Sequence, residues 1–251
     1  MKGKVAAFIG AASGALGVLA AEAKLAQRRI KSIDFPPPPD PTGWYGREGV
    51  GTPVTLAILG DSSANGYGME DAAETPGAVL ADLVAKHTGR PVHLRDLAVT
   101  GARSKDLAHQ VTQAIDHRAD VAVILIGAND VVRITRPEKS VDHLEAAARR
   151  LRDAGVEVVV GLCPDFGAIK PLLPPLRHIA KAWSRAIAAE QAVRMSHLGV
   201  RTVPLADVLG DDFVARAGIF FGADKFHPSA VGYAAVADVL LPATLASVDG
   251  L

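Results

Sequence analysis

The chain has 251 residues, 49% of them hydrophobic, and its 27 basic and 27 acidic side chains cancel to a formal charge of zero. That length and apolar content suffice for one domain with a sizeable core, and the charge balance leaves no nucleic-acid footprint. The lone cysteine, Cys163, excludes an internal disulfide; it follows the apolar run 156–162 and reads as a buried strand-end thiol.

The first fifty residues differ from the rest. Lys2 and Lys4 precede a nearly uncharged stretch over 5–21. Its length is near the lower limit of roughly 17 to 25 residues for a membrane span. Richness in Ala and Gly makes its drive to insert modest, and Gly10 with Gly14 reads as small-residue filler rather than a packing motif. Ala21-Glu22-Ala23 has the pattern of a signal-peptide cleavage site, which would make the protein secreted. Lys24, Arg28, Arg29 and Lys31 follow at once, and basic residues there favour the cytoplasmic side. The preferred expectation is an anchor or membrane-lying helix over 1–32, with membrane association through 5–21. A stiff linker over 33–50, built on Pro36 to Pro39, then leads to the main domain over 51–251, on the cytoplasmic side.

Beyond residue 51 strand and helix patterns alternate. Strands are expected near 54–59, 92–99, 120–126, 156–162 and 200–204, and helices near 75–89, 104–117, 138–154, 175–198 and 229–246. Such alternation predicts an α/β protein with a parallel sheet covered on both faces. The connection from Asp165 to Pro175 is long and carries Leu172, Leu173 and Leu176 at its end, the features of a loop that walls a groove.

Three short segments carry chemistry. Val54 to Leu59 reads as a buried strand that ends in Gly60-Asp61-Ser62-Ser63. Open α/β sheets place ligands at such strand ends, so Ser62 is a candidate nucleophile, with helix capping the plainer alternative. Asp120 to Ile126 is a second apolar strand and ends in Gly127-Ala128-Asn129-Asp130. The Asn129 amide is a candidate oxyanion donor. Near the end, Asp224-Lys225-Phe226-His227 precedes a helical run that opens at Pro228-Ser229. A serine hydroxyl needs a base, and an acid on the other ring nitrogen of that base fixes its tautomer. Asp224 and His227, three apart, supply both. Gly101, after the strand 92–99, offers a bare N–H that a substrate can approach. The seven other histidines are scattered, without the spacing of a metal site.

Ser62 in Gly-Asp-Ser, Gly101 after a strand, Asn129 in Gly-Ala-Asn-Asp and His227 in Asp-Lys-Phe-His-Pro together resemble the SGNH hydrolases, the GDSL-type esterase and lipase superfamily. The resemblance runs from about Val54 to Leu241. It implies a flavodoxin-like three-layer α/β/α fold around a five-stranded parallel sheet. It implies Ser62 as nucleophile, His227 as base and Asp224 as its partner, with the Ser62 N–H, the Gly101 N–H and the Asn129 side chain as oxyanion donors. Ser63-Ala64 departs from the Leu of the family's name, as in many members. Gly43-Trp44-Tyr45-Gly46-Arg47, Glu74-Thr75-Pro76-Gly77, Gly101-Ala102-Arg103-Ser104 and Cys163-Pro164-Asp165 are similar to an actinobacterial branch. That branch includes a mycobacterial octanoyltransferase acting on a glucosylglycerate-type precursor of methylglucose lipopolysaccharide.

The expected chemistry passes through an acyl-Ser62 intermediate. Water resolves it in an esterase, and a sugar acceptor resolves it in a transferase. No cofactor is expected, though an acyl donor such as acyl-coenzyme A suits the site as a substrate. Arg103 and Arg133, near Gly101 and Asn129, are candidate carboxylate or phosphate contacts, and Asp61 is a third candidate substrate contact. Two rivals are a carbohydrate- or lipid-binding module on the same fold and a nucleotide-binding protein. Gly60 to Gly68 fits neither a dinucleotide fingerprint nor a phosphate loop.

Overall fold

The strands of the computed structural model are β1 (Gly43–Tyr45), β2 (Val54–Gly60), β3 (Val92–Asp96), β4 (Val121–Leu125), β5 (Glu157–Gly161) and β6 (Arg201–Val203). The structure describes residues 35–47 and 51–251, together with 19, 21–26, 28, 29 and 33. One sheet holds all six strands in the order β1-β3-β2-β4-β5-β6. β2 to β6 are mutually parallel, and they are the five strands the sequence pattern predicts. β4 is buried at every residue, as a run of Val, Ile and Leu between two helical layers must be.

Two expectations need correction. The sheet has six strands, because β1 pairs antiparallel with the edge of β3. The stretch 33–50 is therefore not merely a linker: it supplies β1 and sets the Phe35 ring edge-on against Tyr67 at 5.7 Å. The sequence hides β1 because three residues after a proline run carry no alternation. The expected strand 92–99 is regular only to Asp96, yet Leu97 N still donates to Ile58 O and Val99 N to Gly60 O. Those bonds carry the chain along β2 towards Gly101.

The main helices are α1 (Pro76–Thr88), α2 (Leu107–Asp116), α3 (Ala128–Val132), α4 (Pro137–Asp153), α5 (Leu176–His197), α6 (Leu205–Val208), α7 (Gly210–Ala215), α8 (Ala217–Phe220) and α9 (Ala230–Val248). Their starts follow from local chemistry. Thr75 Oγ1 accepts from Ala78 N ahead of Pro76 in α1, and Ser229 Oγ accepts from Gly232 N ahead of α9. One face of the sheet packs Leu56, Ile58 and Val123 against Leu80 and Val84 of α1 and Val236 and Leu240 of α9. The other packs Ala57, Ile124 and Val160 against Leu107 and Val111 of α2, Leu144 and Leu151 of α4 and Met195 of α5. α9 is long and apolar enough to cross a membrane, with mean hydropathy 1.6, but its Tyr233, Val236, Ala237 and Leu240 are buried in this core.

The apolar stretch 5–21, apart from residues 19 and 21, lies outside the described residues. After it, Ala26 is buried, and Glu22 Oε2 accepts from Leu176 N at 3.2 Å. Leu176 N is one of the orphan donors at the start of α5. The segment that follows the apolar stretch is thus docked on the main domain.

Candidate active site

The nucleophile turn depends on Gly60. Its φ is +141°, and a Cβ there would lie 1.9 Å from Leu125 O. Only glycine lets β2 turn that close to β4. The buried Gln110 of α2 holds both backbone groups of Gly60: Oε1 accepts from its N–H at 2.7 Å, and Nε2 donates to its carbonyl at 2.9 Å. Asp61 then closes an Asx turn, its Oδ1 accepting from Ser63 N at 2.9 Å and Ser63 Oγ at 2.6 Å. Asp61 is wholly buried, and its Oδ2 has no hydrogen-bond partner. Burial pushes its pKa up, against the lowering effect of the Ser63 bonds. The structure thus places Asp61 beneath the turn.

Ser62 Oγ lies 3.0 Å from His227 Nε2, and His227 Nδ1 lies 2.6 Å from Asp224 Oδ2. Three residues distant by 165 positions in sequence thus form one hydrogen-bonded line. The loop between α8 and α9 builds it. Asp224 Oδ1 accepts from Phe226 N at 2.9 Å and from His227 N at 3.0 Å, so the carboxylate organises the turn that carries its own histidine. Burial alone would raise the pKa of Asp224. The bonds from His227 and Phe226, with the charge of His227, outweigh it and hold the pKa below the usual carboxylate range. Asp224 therefore stays ionised at neutral pH. Phe226 and Tyr67 flank the imidazole, with ring centroids 4.9 and 4.7 Å away.

Gly101 and Asn129 sit at the ends of β3 and β4, beside the turn after β2. Gly101 is exposed with φ +83°, a left-handed conformation that favours glycine. Asn129 opens α3, and its Nδ2 donates to Ala102 O at 3.0 Å. Asn65 ties the nucleophile turn to the same loop: with its amide assigned in the orientation that satisfies both ends, Nδ2 donates to Ser62 O at 3.0 Å, and Oδ1 accepts from Thr100 N at 3.2 Å.

A mainly apolar cavity of about 110 Å³ opens beside Ser62 and His227. Leu162, Phe166, Ile169, Leu209, Phe213 and Phe221 form much of its wall. Asp165, Phe166, Ala168 and Ile169 of the long connection after β5 contribute one side, as the sequence led us to expect, whereas Leu172 and Leu173 do not line it. The helices α6 and α7, which sequence patterning leaves unassigned, contribute another side. Cys163 is buried nearby, and burial with the charges of Asp61, Asp130 and Asp165 pushes its thiol pKa well up. It has the character of an inert core thiol.

Ser62, Asp224 and His227 are brought into direct contact, with Gly101 and Asn129 on adjoining strand ends. Arg103 is half-buried and Arg133 exposed, and neither lines the cavity. Among the described residues there is no cluster of His, Cys, Asp or Glu fit to hold a metal. Sequence reasoning missed Gln110, Asn65 and the pair Tyr67 and Tyr233. Tyr233 is fully buried, and its hydroxyl donates to Tyr67 O at 2.9 Å, behind the ring that packs on His227. Only Gln110 left a signal: a polar side chain on the apolar stripe of Leu107, Val111 and Ala114.

The model of the GDSL-like lipase/acylhydrolase family matches residues 58–235, a span that contains the nucleophile turn, the Asn129 turn and the Asp224–His227 loop. The chain belongs to that family. Members of the GDSL family are esterases and lipases, and this member is an enzyme. A GDSL-like esterase of Mycobacterium tuberculosis is 39% identical over 239 residues, 90% of this chain and 76% of that protein. An arylesterase of Vibrio mimicus is 28% identical over 116 residues, 45% of this chain and 57% of that protein. The crystal structure of esterase EstA from Pseudoalteromonas sp. superposes with a TM-score of 0.61 at 17% identity, over 78% of this chain and 98% of that one. The lipase/acylhydrolase of Enterococcus faecalis gives 0.60 at 18% identity, over 78% of this chain and 96% of that one. These structural likenesses establish the GDSL fold.

Proposed function

We propose that this GDSL-family enzyme transfers acyl groups through Ser62, acting on esters or thioesters with an apolar acyl chain. One observation carries the reading: Ser62 and His227, the reactive end of the line Ser62–His227–Asp224, border a cavity walled by Leu and Phe side chains. His227 Nε2 takes the Ser62 proton as Oγ attacks the acyl carbonyl. Asp224 holds the proton on Nδ1, leaving Nε2 free to accept. The Ser62 N–H, the Gly101 N–H and Asn129 Nδ2 receive the developing oxyanion; one Nδ2 hydrogen donates to Ala102 O, and the second serves the oxyanion. The leaving group departs with the proton from His227. Water or an acceptor hydroxyl then attacks acyl-Ser62, with His227 again as base.

Hydrolysis of the acyl-enzyme is the reading the family relationship supports, and the cavity suits an aliphatic chain. The sharper reading is transfer of an octanoyl group to a glucosylglycerate-type sugar, with acyl-coenzyme A as a donor class. It draws on the sequence resemblance and on Arg103, two residues beyond Gly101, as a contact for an acceptor carboxylate. Membrane association through 5–21, with the catalytic domain on the cytoplasmic side, completes the proposal; cell fractionation tests it. For the chemistry, p-nitrophenyl and coenzyme A esters of graded chain length should be turned over with and without glucosylglycerate. Acylated sugar formed at the expense of free acid supports transfer. Free acid alone, in amounts the sugar does not change, leaves an esterase.

A further inference from the structure

We propose that Asp130, acting with Ser104 and Ser140, is a positioning residue that fixes the spacing between Gly101 N and Asn129 Nδ2. The inference rests on the reading of those two groups as oxyanion donors. Asp130, Ser104 and Ser140 are 2%, 1% and 0% exposed. A carboxylate removed from water is costly unless strong donors meet it. Asp130 Oδ2 accepts from both Ser104 N and Ser104 Oγ at 2.9 Å, and Ser104 Oγ lies 3.0 Å from Ser140 Oγ. Ser104 Oγ has one hydrogen and donates it to Asp130, so in the bond between the two hydroxyls Ser140 donates to Ser104. The chain joins three elements, the loop after β3, α3 and α4.

Its position on the loop gives the clamp its meaning. Every second residue is tied down: Thr100 by Asn65, Ala102 by Asn129 and Ser104 by Asp130. Gly101 lies between two of these ties and faces solvent. Asn129 and Asp130 are neighbours on one helical turn, so the donor on α3 and the donor on the loop are held as one rigid pair. Asp130 itself does not line the cavity. Its effect must therefore pass through the donors, whose value depends on being set before charge develops.

The test is a double-mutant cycle on purified full-length protein with a p-nitrophenyl ester. Ser62 is titrated with a phosphonate so that rates refer to active enzyme. Asp130→Ala and Ser104→Ala should each lower kcat about 10- to 100-fold with KM within about twofold, the pattern of a lost transition-state contact. In an Asn129→Ala background, Asp130→Ala should lower kcat less than about threefold, because the donor it serves has gone. Independent, multiplying losses would overturn the clamp, as would a change confined to KM. If Asp130→Ala does not fold, Ser104→Ala and its cycle with Asn129→Ala decide alone. An Asn129→Ala variant of full activity would remove the oxyanion reading itself. A deleterious Asn129→Ala beside a silent Asp130→Ala would remove the clamp only.

Discussion

Replacing Asp224 by Asn tests the hydrogen-bonded line at its most informative point. The change is isosteric, and Asn Oδ1 can keep both backbone bonds, from Phe226 N and His227 N. What changes is the atom 2.6 Å from His227 Nδ1. An amide nitrogen there donates, so Nδ1 must accept, and the ring proton moves to Nε2. That proton then faces Ser62 Oγ, 3.0 Å away, and the base can no longer take the serine proton. The wrong tautomer costs roughly four orders of magnitude in kcat in the general serine triad, which is about 5.5 kcal/mol of barrier. We expect a loss of about 10³- to 10⁴-fold for Asp224→Asn, with KM little changed. Steady-state hydrolysis of a p-nitrophenyl ester at neutral pH measures it, beside a thermal melt. The melt has its own expectation. The lowered pKa of Asp224 stabilises the parent above the usual carboxylate range, and that contribution disappears as pH falls through the lowered value. The stability gap between parent and variant should therefore narrow in acid. A kcat within about tenfold of the parent, at intact fold, would refute the tautomer argument.

Two further expectations follow from the cavity and from a buried acid. Ala168→Phe puts a ring into the cavity wall; if it excludes four methylenes at about 0.8 kcal/mol each, kcat/KM for octanoyl esters falls roughly 200-fold while acetyl esters are spared. Equal losses for both chain lengths would show that the cavity does not hold the acyl group. Asp96 has its pKa raised to about 7, first by burial and then by the charge of Asp40, against a bond from Ala98 N. Its native state therefore keeps a proton that the unfolded chain releases, and stability falls as pH rises from the usual carboxylate range towards 7. Asp96→Asn should remove that fall and stabilise the protein above pH 7 by about 1 kcal/mol, after allowance for the partial exposure of Asp96, with no gain at pH 3. Melts across pH that ran parallel for the two proteins would contradict it.

The parallel sheet was legible chiefly because β2, β4 and β5 are short apolar, β-branched runs that end at or close to Gly. Ser62 was legible because it stands at the end of such a run, and Asp224 and His227 because they share one turn ahead of the helical run that opens at Pro228-Ser229. What stayed hidden depends on contacts distant in sequence. β1 exists because the β3 edge offers free backbone groups, not because Gly43 to Tyr45 favour extension. Gln110 matters through Gly60, 50 residues away, and Tyr233 through Tyr67, 166 residues away. The cavity wall from α6 and α7 was hidden for a related reason. Helices of four and six residues carry too little periodicity to announce themselves.

The central claim is that Ser62 carries the acyl group. Intact-protein mass spectrometry, on samples quenched during turnover of an octanoyl p-nitrophenyl ester, tests it most directly. The account predicts a parent protein heavier by one octanoyl group, mapped to the peptide containing Ser62, and a Ser62→Ala variant with neither adduct nor turnover. Turnover that survives Ser62→Ala, or an adduct mapped to another residue, would contradict it.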